Sequence, residues 1–265
     1  MPANGFIPNP AHANFLTPDA YHRLPAIMYI FFHLFTGIVL GYLAAEIFRD
    51  ARWVLPCIVG SILPDLIDKP IGILFFPNAI GNGRIFSHTL IALILLMAIG
   101  LAVWHVKKNP LVISLALGVF SHQMLELMWR EPMDWLYPAF GPFLGNLDAE
   151  FFRVSAFGEL HDPFEVVLAL IYFGGLIAFF YREYIASIAR EHIARIRVFL
   201  NILVLVLCAL AGISIGGGIM RLRVPYTGWT RPEEFLLGGF VLVLAAYAVW
   251  QLRRSLGNGS PAQFR

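Results

Sequence analysis

The sequence predicts an all-α fold: a polytopic integral membrane helical bundle of about seven crossings, the second helix broken by proline. Three observations predict it. Of the 265 residues, 58% are hydrophobic and only 14% charged, where a soluble domain carries about 25% charged residues. Mean hydropathy is +0.71. The apolar residues are also gathered into runs that approach or exceed the roughly 20 residues needed to cross about 30 Å of hydrocarbon.

The elements follow in chain order. Residues 1–25 form a Pro- and Asn-rich tail in which Arg23 is the only Lys or Arg. They show no signal-peptide pattern, so the first run (26–45) is expected to remain as an anchor. The second run (53–76) is long enough to span but is interrupted by Pro64, Asp65, Asp68, Lys69 and Pro70. The third (85–106) and fourth (111–129) are joined through Lys107 and Lys108. A long connection, 130–162, carries Trp135, Tyr137, Phe140 and Phe143, which suits a cap lying on the membrane interface. Runs 164–181, 198–220 and 235–250 complete the count.

This gives a single transmembrane domain, 26–252, and a short C-terminal tail, 253–265. Within the domain, 26–140 holds the chemistry and 160–252 supplies supporting helices. The net charge of +2 is too small to argue for a nucleic-acid partner. Cys57 and Cys208 lie in apolar runs and read as core thiols. Gly37 with Gly41, and Gly212 with Gly216, make small-residue faces for close helix packing.

Orientation follows from the basic residues. With alternating crossings, Arg49, Arg52, Lys107, Lys108, Arg182, Arg190, Arg195, Arg197, Arg253 and Arg254 share one face, which the positive-inside rule makes cytoplasmic. Arg221, Arg223 and Arg231 fall on the other side and weaken the bias.

Ionisable side chains inside hydrocarbon cost about 2.5–3.5 kcal/mol each even on the lenient scale, so they need partners and point to function. His33 lies in the first run, Asp65 and Asp68 in the second, His88 in the third, and His122 and Glu126 in the fourth. His122 and Glu126 are spaced to share one helix face. Alternation places all six in the leaflet opposite the basic face. Imidazole and carboxylate together suit zinc, manganese or iron. Plainer readings stand beside this one. A lone membrane histidine commonly hydrogen-bonds between helices, Asp65 and Lys69 are spaced to pair, and a His–Glu pair can be structural. His161 and Glu165 face the same side, although "HDPFE" also reads as a helix start with Glu165 in its first turn.

The motifs "GSILPDLID", "GRIFSHTL" and "GVFSHQMLE" resemble the membrane-bound metal-dependent hydrolase family, YdjM-like and described as LexA-binding, inner-membrane-associated hydrolases. The likeness covers roughly residues 28–140. Zinc-dependent phospholipase C is similar more remotely. The resemblance implies His33, Asp65, His88, His122 and Glu126 as metal ligands, with Asp68 as the second acid of the Pro-Asp motif. Arg84 matches the basic residue before Ser-His. The family usually has Asp where this chain has Glu126.

The expectation is therefore a metal-dependent hydrolase of the inner membrane, using a divalent ion, zinc first, with manganese or iron as alternatives. Asp68 and Arg84 would be its catalytic residues. Asp68 would take a proton or orient a ligand histidine, and Arg84 would hold an anionic substrate group. The ion would acidify bound water, and a site at headgroup depth favours a lipid or lipid-linked phosphoester. The rivals are an ion-coupled transporter and a non-catalytic scaffold with a structural metal.

Overall fold

The computed structural model describes residues 30–76, 80–143, 165–170, 192–221 and 231–255. Among these residues all regular structure is helical and no strand occurs. Four of the described helices are long and apolar enough to cross a membrane: α1 (Ile30–Phe48), α4 (Leu90–Lys107), α7 (Ile193–Met220) and α8 (Pro232–Ser255). α5 (Leu111–Leu125) is apolar but shorter, and α6 (Pro132–Trp135) is a single turn. Most of the expected 164–181 run lies outside the described residues, and so does His161.

The second run is broken, as its prolines require. It forms α2 (Val54–Gly60), then α3 (Leu63–Lys69), then a π-helical turn, Pro70–Phe75. The break falls at Ser61 and Ile62, one turn before the motif's proline. Pro64 instead sits in the first turn of α3, where its missing N–H leaves no partner unsatisfied. Pro70 cannot donate to the α-helical ladder, and the chain widens until Phe76 N–H reaches the Ile71 carbonyl at 3.0 Å.

Glycines set how the helices meet. α1 packs on α2 through Gly37, against Ser61 and Ile58, and Gly41, against Val54 and Cys57. α2 crosses α5 in backbone contact: a Cβ on Gly60 would lie 2.1 Å from the Leu115 carbonyl oxygen, and one on Gly118 2.2 Å from that of Cys57. The Gly212–Gly216 face does not serve in this way, since a Cβ at either would meet nothing within 4 Å. Gly218 and Gly239 make the α7–α8 contact instead. Cys57 is buried as expected, whereas Cys208 is exposed on the outer face of α7.

α8 runs alongside α1 in the same direction, with Phe235 and Val241 near Phe32, and Ala245 and Ala248 near Val39 and Leu43. α7 is antiparallel to α8, since Gly218 meets Pro232 while Ile215 meets Gly239. The C-terminal ends of α1 and α4 adjoin, for Arg52 donates to the Lys108 carbonyl at 3.4 Å. Arg49, Arg52, Lys107, Lys108, Arg195, Arg197, Arg253 and Arg254 therefore share one end of the bundle. There Asp50 accepts from the Arg52 backbone and guanidinium, which holds its carboxyl below the usual range.

The N-terminus of α1 is satisfied from far along the chain. Glu165, 1% exposed, accepts from the Phe31 and Phe32 N–H groups at 2.7 and 3.1 Å. A carboxylate on a helix N-terminus both accepts from orphan N–H donors and complements the positive end of the dipole. Sequence spacing placed Glu165 in the first turn of its own helix, but its carboxylate caps another. Glu165→Ala is expected to cost about 2 kcal/mol, seen as a lower thermal midpoint in detergent, with Glu165→Gln recovering part. An unchanged midpoint would remove the cap from this account.

Candidate metal centre

At the end of the bundle opposite the basic residues, four side chains converge. Asp65 comes from α3, His88 from the 3-10 turn Phe86–His88, His122 from the last turn of α5, and Glu126 from the residue that ends α5. One potential ligand atom from each lies within 4.8 Å of the others, and all four residues are buried. This group could hold a metal ion.

The way each histidine is held defines what it offers. His122 Nδ1 is 2.8 Å from the Ser61 carbonyl, exposed where α2 breaks. A carbonyl only accepts, so Nδ1 carries the proton. His88 Nδ1 is 2.7 Å from Asp68 Oδ2, and an ionised carboxylate likewise only accepts. Both rings therefore turn Nε2 inward, and the two nitrogens lie 3.1 Å apart. Asp65 Oδ1 is 3.5 and 3.6 Å from them. Glu126 approaches at 3.4 Å from His88 and 3.7 Å from His122. Lys69 and Arg84 pair with the two carboxylates, but the two facing nitrogen lone pairs repel unless a cation joins them. A proton between the nitrogens would leave Asp65 Oδ1 buried without a hydrogen bond, as it is among the described residues. A metal ion would serve all four, so the donor set fits one.

The remaining expected residues lie close by in different roles. Asp68, fully buried, accepts from the N–H groups of Ile85, Ser87 and His88 as well as from the His88 ring. With its oxygens occupied, it positions His88 and the loop before α4. Arg84, expected to hold an anionic substrate group, donates from Nε to Glu126 Oε2 at 2.7 Å. The physical reason is that a carboxylate 5% exposed needs a charge partner. His33 stands outside the four-residue group. Its ring stacks on His122, centroids 4.2 Å apart, and its Nδ1 makes no hydrogen bond among the described residues. Lys69 pairs with Asp65 at 2.5 Å, as the spacing foretold, and reaches Glu126 at 4.0 Å.

The loop bearing Arg84 is pressed onto the π-helical turn. A Cβ on Gly72 would lie 1.8 Å from the Asn82 carbonyl oxygen, and one on Gly83 would meet Ile73 and Lys69. Asn82 accepts from the Arg84 N–H at 2.7 Å and donates to Asp134 at 2.9 Å. Burial pushes the Asp134 carboxyl up, against the Asn82 amide that favours its ionised form. Gln123 donates to the Ser87 and Thr89 carbonyls and accepts from the Trp135 indole. Sequence reading missed Ser61, Asn82 and Gln123. Gln123 beside His122, polar inside an apolar run, was the one legible signal.

No curated protein and no solved structure matches the chain. A family model does, and it spans the whole of the site. The chain belongs to the YdjM inner membrane protein family, whose family model matches residues 28–219.

Proposed function

We propose that this protein is a membrane-embedded, metal-dependent hydrolase acting on a phosphoester of an amphiphilic or lipid-linked substrate. The bundle would have about seven crossings, with the centre toward the extracytoplasmic leaflet. The observation that carries the reading is the pair of inward Nε2 atoms 3.1 Å apart, both with committed Nδ1 atoms, facing two buried carboxylates. Two imidazoles with carboxylates match the ligand chemistry of zinc, with manganese or iron as alternatives. A divalent ion held there would supply Lewis acidity toward water and a phosphoryl oxygen. The chain's own residues would do the rest. Asp68 and the Ser61 carbonyl fix the tautomers of His88 and His122, and Arg84 keeps Glu126 ionised and oriented. Placement opposite the basic end supports an outer-leaflet site, by the positive-inside rule.

Elemental analysis of the detergent-purified protein tests this, beside His122→Ala and Glu126→Ala. Near-stoichiometric zinc, manganese or iron is expected in the parent, falling at least tenfold in both variants. The loaded parent should then release product from lipid-linked phosphates or simpler phosphoesters. A parent that takes up no transition metal, even after reconstitution with each ion, would sink the hydrolase reading.

The broken second segment favours one second reading. A helix interrupted beside buried carboxylates, with its π-helical turn, is also how ion-coupled carriers build sites. In that case site substitutions would abolish uptake into proteoliposomes, and no hydrolytic product would form.

A further inference from the structure

The centre contains two cations of its own, and their placement bears on how many metal ions it accepts. Five ionisable groups are packed together: Asp65, Asp68 and Glu126 against Lys69 and Arg84. Asp65 and Lys69 are each 7% exposed, Glu126 5% and Asp68 0%. The Arg84 side chain is 12% exposed. With neutral histidines, three carboxylates against two cations leave one negative charge. One divalent ion turns that into one positive charge, which a bound anion would offset. Two divalent ions would leave three positive charges in a buried volume, and burying unpaired charge is costly.

The geometry agrees with the charge count. Asp65 turns Oδ1 toward the histidines, while its Oδ2 touches the Lys69 ammonium at 2.5 Å. Glu126 Oε1 lies 3.7 Å from His122 and 4.0 Å from that same ammonium. Lys69 thus pairs with one of the two carboxylates that face the histidines and lies 4.0 Å from the other. In a two-metal centre, carboxylates are shared between ions about 3.5–4 Å apart, and those ions clamp the attacking and leaving oxygens. Here an ammonium takes the second position. Its Nζ is buried and, beyond its ion pair with Asp65, makes no hydrogen bond among the described residues, so donors of the ammonium remain available to an incoming acceptor.

Resting on the metal-site reading above, we propose that Lys69 is a tethered second cation: the centre takes one divalent ion and seats an anionic phosphate oxygen between that ion and the Lys69 ammonium. Arg84 is held by Glu126 and positions that ligand. Lys69 therefore replaces Arg84 as the residue that receives the substrate's charge. The ligand class is a phosphate mono- or diester group, and metal loading precedes its binding.

The test uses the full chain in detergent, with manganese or zinc and inorganic phosphate as probes. Saturation with metal followed by desalting should leave one ion per chain. Phosphate should bind the loaded parent, and bind metal-loaded Lys69→Met at least tenfold more weakly, although that variant holds its metal no less tightly. Lys69→Arg should stay within about threefold of the parent. Two tightly held ions in the parent would overturn the proposal, and that measurement needs no variant to fold. Phosphate binding unchanged in Lys69→Met would also overturn it. A parent that holds one ion and binds phosphate through Lys69 but hydrolyses no ester sinks the hydrolase reading and leaves this inference standing. A parent that binds no metal ends both.

Discussion

Asp68→Ala is expected to be the most damaging substitution at the centre, costing about 4 kcal/mol or more and releasing any bound metal. The carboxylate receives three backbone N–H groups and one ring N–H, from Ile85, Ser87 and His88. Each buried donor left without an acceptor costs about 1–3 kcal/mol. No neighbouring group replaces it, because the loop that donates was folded around this one side chain. Asp68→Asn separates folding from chemistry. Its amide oxygen still accepts, so the loop should persist. The oxygen that accepts from the loop is also the one that accepts from His88 Nδ1, so the amide keeps that bond but loses the charge that strengthens His88 as a ligand. Metal affinity should then fall about 10–100-fold, the usual cost of losing a ligand's supporting carboxylate. Thermal midpoints and metal titrations of the two variants check this. An Asn variant with parental metal affinity would show that the Asp68 charge does not support His88 as a ligand.

The second large effect is expected away from every ionisable group. Gly118→Ala would place a Cβ 2.2 Å from the Cys57 carbonyl oxygen and 2.7 Å from the Ser61 nitrogen. The obstacle is backbone on both sides, so α2 and α5 must separate. Overpacking of this kind costs about 1–3 kcal/mol or more. The consequence reaches the centre, because the Ser61 carbonyl that holds His122 Nδ1 sits at that crossing. Gly118→Ala should therefore lower both the yield of folded protein and its metal content. Gly212→Ala, with nothing within 4 Å, is the control and should leave both near parental values. Equal behaviour of the two variants would remove the crossing from the account.

Part of this was legible in the sequence. Apolar runs and a low charged fraction establish a helical membrane protein, and charged groups placed at one depth identify Asp65, His88, His122 and Glu126 as neighbours. The periodicity that puts His122 and Glu126 on one face survives even though α5 ends at Leu125, because the Glu126 N–H still bonds the His122 carbonyl at 3.0 Å. The distinction between ligand and support was not legible. Asp68 and Asp65 belong to one motif, and only the fold of the 84–88 loop, a tertiary event, decides which of them faces the histidines. The pairing of Arg84 with Glu126 was not legible, because sequence does not show where Glu126 finds its counter-charge. The paired glycines on α7 looked like a packing face, yet the tightest crossing uses Gly60 and Gly118, which have no partner at helical spacing. Glu165 had the composition of a local cap, and its actual target is distant in sequence.

That distance has a consequence in time. The bond between Glu165 and the Phe31 N–H joins residues 134 apart. A ribosome adding about 5–20 residues per second exposes the start of α1 on the order of ten seconds before its cap is synthesised. During that interval the first helix can enter the membrane, but the Glu165 carboxylate is not yet there to accept from the Phe31 and Phe32 N–H groups. Capping of α1 is thus ordered by translation: an early helix waits on a late residue. A chain cut short before residue 165 would carry all four converging side chains and still lack the cap on α1.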